Sequence, residues 1–179
     1  CADAPRMTEG VRTEVGFRWA FASVRLAAGR QGLQPLHIVP SVVLLVVQIG
    51  PQGHHGGHRA HQERRGRRWR TVETPLDLVA GLEAAVGADR CVLVDCLTLW
   101  LSNLILADLP VPVDALERAM SECRHPIALV ANEVGFGIVP HNALARRFRD
   151  EAGRLNQRIA GVVDEVVLVA AGLPLSLKA

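Results

Sequence analysis

Three short apolar runs in the second half of the chain alternate with amphipathic stretches. The runs cover residues 91–94, 126–131 and 166–170, and none of them has a polar face. Runs of this length are typical of strands that are covered on both sides, as in a parallel sheet. Because longer segments with helical spacing separate them, the pattern predicts an α/β fold with a mostly parallel sheet and flanking helices.

The sequence from Thr74 onward predicts four helices. The first begins after Thr74, the expected N-cap, has Pro75 at its first position and ends before Gly87. The next two cover residues 97–107 and 113–123, and prolines separate them. The fourth covers residues 142–164 and has the clearest apolar stripe, formed by Leu144, Phe148, Ala152, Leu155, Ile159 and Val162.

Residues 1–57 have a weaker pattern and are expected to form an atypical N-terminal segment of what is otherwise a single domain. Apolar residues at helical spacing predict a helix over residues 15–28. Residues 36–39 and 41–49 resemble strands, and the sequence leaves open which of them lies in the centre of the sheet. A turn rich in glycine and proline follows at residues 50–53.

Composition and charge do not decide the function, but they argue against some classes of partner, such as single-stranded nucleic acid and the membrane. The formal net charge is +2 and aromatic residues make up 4% of the chain, which is a thin supply for stacking nucleic-acid bases. The longest apolar run, residues 42–47, is too short to span a bilayer, and residues 1–10 lack the apolar core of a signal peptide. The four cysteines form no C-x-x-C pair. Reduced thiols and a cytoplasmic location are therefore expected.

Two of the predicted strands are followed by acids. Asp95 ends the run at 91–94, and Glu133 follows the run at 126–131. Carboxylates at the carboxyl edge of a parallel sheet can bind a hydrated Mg²⁺ and orient a nucleotide phosphate. The same residue types can equally cap helices at exposed strand ends. The spacing alone does not decide between these two interpretations.

A basic stretch covers residues 58–70, with six arginines and a single acid, Glu63. Arginine forks suit the phosphates of RNA or of a nucleoside triphosphate, and a solvated face has the same composition. His54, His58 and His61 have the spacing of metal ligands on a helix, but the glycines between them and the lack of a second ligand set do not favour a metal site.

Seven sequence blocks from His61 onward form a distinctive series over about two-thirds of the chain. They are HQERRG at 61–66, WRTVE at 69–73, VDCLTLWLSNL at 94–104, NEVGFGIVP at 132–140, RFRD at 147–150, GRLNQ at 153–157 and AGLPL at 171–175. In these blocks and in their order the chain resembles the bifunctional adenosylcobinamide kinase/adenosylcobinamide-phosphate guanylyltransferase family of cobalamin biosynthesis.

The resemblance implies a RecA-like P-loop fold for residues 58–179, assembled as a homotrimer. It implies that ATP phosphorylates adenosylcobinamide, and that GMP is then transferred from GTP through a GMP–histidine intermediate to give adenosylcobinamide-GDP. His61 matches the nucleotidylated histidine. The positions that match guanine-nucleotide contacts are Gln62, Glu63, Arg64, Arg65, Glu73 and Asp95. The implied cofactor is Mg²⁺, held by Asp95 and, as a second candidate, by Glu133; no nucleic-acid partner or membrane insertion is expected.

The family's N-terminal strand and its phosphate-binding loop, G-G-x-R-S-G-K-S, have no match in residues 1–57. One hypothesis is that this segment is translated from a shifted reading frame, with the true frame recovered near Arg59. The alternatives are a catalytically inactive paralogue that still binds GTP or assembles, and, as a weaker one, an RNA-binding protein that uses the basic stretch.

Overall fold

The computed structural model describes the backbone of residues 20–25 and 41–46, and residues 69–87 and 90–179 with their side chains. Within these ranges seven strands form one sheet in the order β3-β2-β4-β5-β1-β6-β7. The strands are β1 (Ala20–Arg25), β2 (Ser41–Val46), β3 (Trp69–Glu73), β4 (Arg90–Asp95), β5 (Ile127–Asn132), β6 (Glu165–Ala170) and β7 (Leu173–Lys178).

Four helices connect the strands of the described part of the chain. They are α1 (Leu78–Ala85), α2 (Leu97–Leu106), α3 (Val113–Glu122) and α4 (Ala143–Val162). The last three lie within two residues of the bounds that the hydrophobic spacing predicts. In the described residues, no helix has the length and apolar content needed to cross a bilayer.

Four neighbouring strands, β3, β2, β4 and β5, are parallel, so their carboxyl ends meet at one edge of the sheet. The α/β class with a parallel sheet and flanking helices is therefore confirmed. The remaining strands are antiparallel to their neighbours. The sheet is thus mixed, with a parallel half that carries the acids and an antiparallel half at the other side.

All four helices contribute to one apolar cluster with β4 and β5. Alternate residues of these strands, among them Val92, Val94, Ile127 and Leu129, are fully buried on this face. Trp100 and Leu101 of α2 are also fully buried, so α2 lies at the centre of the cluster. Because α2 follows Asp95 directly, this packing fixes the chain just beyond the carboxyl end of β4.

The structure corrects the expected helix over residues 15–28, because Ala20–Arg25 form a strand. This strand lies between β5 and β6 and pairs with both, so the sheet position overrides the helical spacing of its apolar residues. Ser41–Val46 form a strand as expected, at an interior position between β3 and β4. Residues 36–39 lie outside the described part of the chain.

Two further strands were not expected, and one predicted helix cap was wrong. β3 and β7 were not predicted as strands, because neither has the unbroken apolar run of the three predicted ones. Helix α1 begins at Leu78 with Asp77 as its N-cap, so Thr74 does not cap it. Residues 74–77 instead form a loop that α2 holds, as described below.

Candidate functional site

Glu73 and Asp95 lie at the same level of the carboxyl edge. Glu73 ends β3 and Asp95 ends β4, and both are aligned with Val46 of the strand between them. Residues aligned across a parallel sheet project to the same face, and two strand spacings separate these two by about 10 Å. Both side chains are exposed. The structure therefore brings two of the predicted nucleotide-binding residues to one side of one edge.

The turn after Asp95 is joined to the end of the neighbouring strand. Cys96, not Asp95, is the N-cap of α2, so the interpretation of Asp95 as a helix cap is wrong. Thr98 lies in the first turn of α2, and its Oγ1 accepts a hydrogen bond of 2.6 Å from the backbone N–H of Asn132, the last residue of β5. The carboxyl ends of β4 and β5 are thereby connected through one half-buried hydroxyl group.

The loop after Glu73 is held by the same helix. Trp100 Nε1 donates a hydrogen bond of 2.8 Å to the carbonyl oxygen of Leu76, and Asn103 Nδ2 donates one of 3.0 Å to that of Pro75. Thr74 is buried beneath α1, where a Cβ added at Gly81 would lie 2.3 Å from its Cγ2 atom. This loop is therefore fixed from two sides.

Glu133 has local partners of its own. Its Oε1 accepts a hydrogen bond of 2.7 Å from the Gly135 N–H, and Asn156 Nδ2 of α4 lies 3.5 Å from its Oε2. Asn142, not Glu133, caps α4 by accepting from the N–H groups of Leu144 and Ala145, so the cap interpretation of Glu133 is also wrong. Glu133 follows the residue Asn132, which itself lies two positions, roughly 7 Å, beyond the level of Asp95.

The donor set at this edge is compatible with Mg²⁺ but does not form a closed cage. No group of three or more potential metal-binding side chains occurs among the described residues. Mg²⁺ usually takes one or two protein carboxylates and completes its shell with water and phosphate oxygens, so the exposed carboxylate of Asp95 fits that role. Glu133 fits it less well, since backbone and amide donors already contact both of its oxygens.

Two buried cysteines, Cys91 near the start of β4 and Cys96 directly after Asp95, lack the properties of nucleophiles. Burial raises the pKa of the Cys91 thiol to about 11, and burial is also the main cause of the raised pKa of Cys96. Both are free thiols. Since the thiolate is the reactive form, these residues serve as small apolar side chains at neutral pH.

The remaining predicted site residues lie outside the described part of the chain. These are His61, Gln62, Glu63, Arg64 and Arg65, and the same holds for His54, His58 and most of the basic stretch. Only Trp69 and Arg70 of that stretch are described, both exposed at the edge strand β3. The predictions for these residues stay predictions.

Sequence reasoning did not single out Thr98, Trp100, Asn103 or Asn156 as residues that organise the site. A usable signal was present, because Thr98 and Asn103 are polar residues in a helix that is otherwise almost wholly apolar. Such residues need hydrogen-bond partners when they are buried, and here the partners are the backbone of the two strand ends.

Comparisons with known proteins point to one family. A family model for cobinamide kinase / cobinamide phosphate guanyltransferase (CobU) matches residues 58–177. The chain is 50% identical over 114 residues to the bifunctional adenosylcobalamin biosynthesis protein CobP of Pseudomonas aeruginosa, covering 62% of this chain and 66% of that protein.

Two further relatives carry the same kind of name. The chain is 40% identical over 127 residues to the bifunctional adenosylcobalamin biosynthesis protein CobU of Salmonella typhimurium, and 35% identical over 127 residues to that of Escherichia coli. Each alignment covers 62% of this chain and 70% of the relative.

Proposed function

Because the chain belongs to the cobinamide kinase / cobinamide phosphate guanyltransferase family, we propose that it phosphorylates adenosylcobinamide with ATP and then transfers GMP from GTP to the product. The prediction of this enzyme family is confirmed by the family match and by relatives whose names describe bifunctional adenosylcobalamin biosynthesis proteins. The structural observation that supports a nucleotide site is the alignment of Glu73 and Asp95 at one edge of the parallel strands.

The guanylyl transfer is a two-step displacement with His61 as nucleophile. A neutral imidazole nitrogen attacks the α-phosphorus of GTP, a P–N bond forms, and the bond to the leaving pyrophosphate breaks. A phosphate oxygen of adenosylcobinamide phosphate then attacks the same phosphorus, the P–N bond breaks, and adenosylcobinamide-GDP is released. Covalent catalysis of this kind replaces one difficult displacement by two easier ones.

Positioning and charge neutralisation contribute most to such transfers. In the proposal Arg64 and Arg65 neutralise phosphate charge, with Gln62 and Glu63 as further nucleotide contacts. Glu73 and Asp95 bind and orient the nucleotide from the carboxyl edge, where ligands of open α/β sheets usually lie. A bound Mg²⁺ would be held by Asp95 and would supply electrostatic stabilisation of the phosphates.

The proposed architecture is RecA-like, with the nucleotide at the carboxyl edge of the parallel strands. In P-loop proteins the phosphate-binding loop follows a strand that ends at this edge. Here β1 runs antiparallel to β5: Ala20 is aligned with Asn132, and Arg25 with Ile127. The chain after Arg25 therefore starts from the opposite edge, so β1 is not a strand that leads into a P-loop. The described strand of this segment that ends at the carboxyl edge is β2, and residues 47–57 after it contain no G-x-x-x-x-G-K-[ST]. Together these observations support the interpretation that residues 1–57 do not supply a P-loop.

A labelling experiment tests the transferase. The purified chain is incubated with Mg²⁺ and GTP labelled at its α-phosphate, and protein-bound label is measured after acid and alkaline treatment. A phosphoramidate is labile in acid and stable in alkali, and His61→Ala is expected to abolish it. Labelling that survives in His61→Ala would overturn the assignment of the nucleophile.

The orientation of β1 also favours a second candidate, a chain that binds GTP without phosphorylating adenosylcobinamide. The discriminating measurement is transfer of the γ-phosphoryl group of labelled ATP to adenosylcobinamide. Product formation supports the bifunctional enzyme. GTP binding without either transfer supports the inactive paralogue, and salt-sensitive RNA binding that depends on Arg67 and Arg68 would support the weaker alternative.

Assembly and location complete the proposal. We expect a homotrimer, and the exposed Leu173, Leu175 and Leu177 along β7 supply an apolar surface for contact between copies. Light scattering after size exclusion measures the molar mass. Substrates such as ATP and GTP, together with free thiols, favour the cytoplasm.

A further inference from the structure

We propose that Asn103 is a positioning residue of the nucleotide site. Its buried side chain holds the backbone that follows Glu73, and Glu73 lies at the level of Asp95. The inference rests on the proposed function. It identifies a residue that helps to hold Glu73 and Asp95 in a fixed position relative to each other. Asn103 acts on the site through the loop at residues 74–77, where it binds the carbonyl oxygen of Pro75.

The contact is specific in chemistry and in place. Asn103 is 9% exposed, and its Nδ2 donates to the Pro75 carbonyl oxygen at 3.0 Å. Pro75 lies in the loop between β3 and α1, where its carbonyl group belongs to neither a strand nor a helix. The amide of Asn103 supplies a hydrogen-bond donor to this carbonyl oxygen.

A second hydrogen bond from α2 fixes the position of the loop at residues 74–77. Trp100, which is fully buried, donates from Nε1 to the Leu76 carbonyl oxygen at 2.8 Å. Two consecutive carbonyl groups are thus bound by side chains one turn apart on the same helix. Two adjacent bonds from a rigid helix fix both the distance and the orientation of the loop.

The same helix is anchored beside Asp95. It begins at Leu97, two residues after Asp95, and its Thr98 is joined to the end of β5. Glu73 ends β3 directly before this loop, so a displacement of the loop relative to α2 acts on the end of the strand that carries Glu73. A ligand that contacts both acids is sensitive to that displacement, since small misplacements of binding groups weaken transfer reactions strongly.

The test compares GTP binding by three variants with GTP binding by the unmodified chain. Asn103→Leu removes the donor at similar volume, and Trp100→Phe removes the indole N–H. Ile105→Val is the matched control, because Ile105 is a buried residue of α2 without a contact to this loop in the described hydrogen bonds. Fluorescent GTP is titrated in the presence of Mg²⁺, and dissociation constant and stoichiometry are fitted separately.

We expect the dissociation constant for GTP to rise about 3- to 10-fold in Asn103→Leu, which corresponds to the loss of one hydrogen bond. Trp100→Phe should show a rise of similar size, while Ile105→Val should bind as the unmodified chain does. A purely structural role would instead lower the stoichiometry, because fewer molecules would be folded, and leave the dissociation constant unchanged. That result, or equal affinity in all three variants, overturns the inference.

The outcome also separates this inference from the proposed function. If the unmodified chain binds no GTP, the proposed function fails and the positioning role fails with it. If the unmodified chain binds GTP and Asn103→Leu binds it equally well, only the positioning role fails. In active protein, the KM for GTP in guanylyl transfer should rise more than kcat falls.

Discussion

Thr98 and Asn132 join two strand ends through a single hydrogen bond of 2.6 Å, in which the Asn132 N–H donates to the Thr98 hydroxyl oxygen. The hydroxyl lies in the first turn of α2, and the N–H belongs to the last residue of β5. The bond connects the turn after Asp95 to the segment that leads to Glu133. One side chain therefore couples the two acidic strand ends of the sheet.

Thr98→Val should destabilise the protein and loosen this edge. The substitution keeps the shape and leaves the Asn132 N–H without its acceptor, which costs about 1–3 kcal/mol. Urea unfolding followed by tryptophan fluorescence measures the loss. Thr98→Ser retains the hydroxyl and is the matched control, and equal stability of the valine and serine variants would show that the bond contributes nothing.

Gly81→Ala should destabilise the protein although alanine favours helices. The new Cβ would lie 2.3 Å from Cγ2 of the buried Thr74, and overpacking of this kind costs about 1–3 kcal/mol. Gly153→Ala in α4 is the control, because a Cβ there meets no atom within 4 Å and should stabilise the helix by about 0.5–1 kcal/mol. Thermal unfolding of both variants should give shifts of opposite sign.

Cysteine modification should depend strongly on position. The raised pKa values of Cys91 and Cys96 lower their thiolate fractions at pH 8 below that of an ordinary thiol, and the thiolate of Cys91 forms only as the pH rises towards about 11. Among the three cysteines that the structure describes, Cys123 is only partly buried and should react first with iodoacetamide. Mass spectrometry of peptides after timed alkylation gives the order, and early modification of Cys91 in folded protein would contradict it.

Asp95→Asn should weaken Mg²⁺-dependent GTP labelling at least 10-fold, because an exposed carboxylate at the carboxyl edge loses its charge. Excess Mg²⁺ should recover part of the activity, and chelation of Mg²⁺ should abolish labelling in the unmodified chain. Glu133→Gln provides the comparison: Gly135 and Asn156 hold Glu133 locally, so we expect a smaller effect on the Mg²⁺ requirement. Equal effects of both substitutions would assign both acids to the metal.

The sequence alone predicts the parts of the fold in which local pattern and tertiary position agree. The strands around Val94 and Leu129 are apolar throughout because they are interior strands, and helices α2, α3 and α4 have their expected bounds to within two residues. Strand β1 shows the reverse case. Its apolar residues have helical spacing, but the strand pairs with β5 on one side and β6 on the other. These partners lie far away in the sequence, so a local pattern cannot predict the pairing.

Some features of the candidate site can likewise be predicted from the sequence, and others cannot. Asp95 and Glu73 can be predicted as nucleotide residues from the family blocks. The edge position of Asp95 follows from its predicted strand, whereas that of Glu73 does not, because β3 lacks the apolar run of a predicted strand. The positions of Trp100 and Asn103 against the loop after Glu73 cannot be predicted, because these contacts join residues 24 and 28 positions apart. Thr74 fails as a cap for the same reason, since long-range packing fixes its loop.

The reversed strand β1 has a consequence for how the chain folds during synthesis. Ala20 pairs with Asn132 and with Val169, so this strand finds both of its partners only after β5 and β6 have left the ribosome. Pairing over such sequence separations is slow, because loop closure precedes any gain from contact. Until then the apolar edges of β5 and β6 lack a neighbour, and exposed edges of this kind promote association between nascent chains. Slower expression at reduced temperature should therefore raise the yield of monodisperse protein.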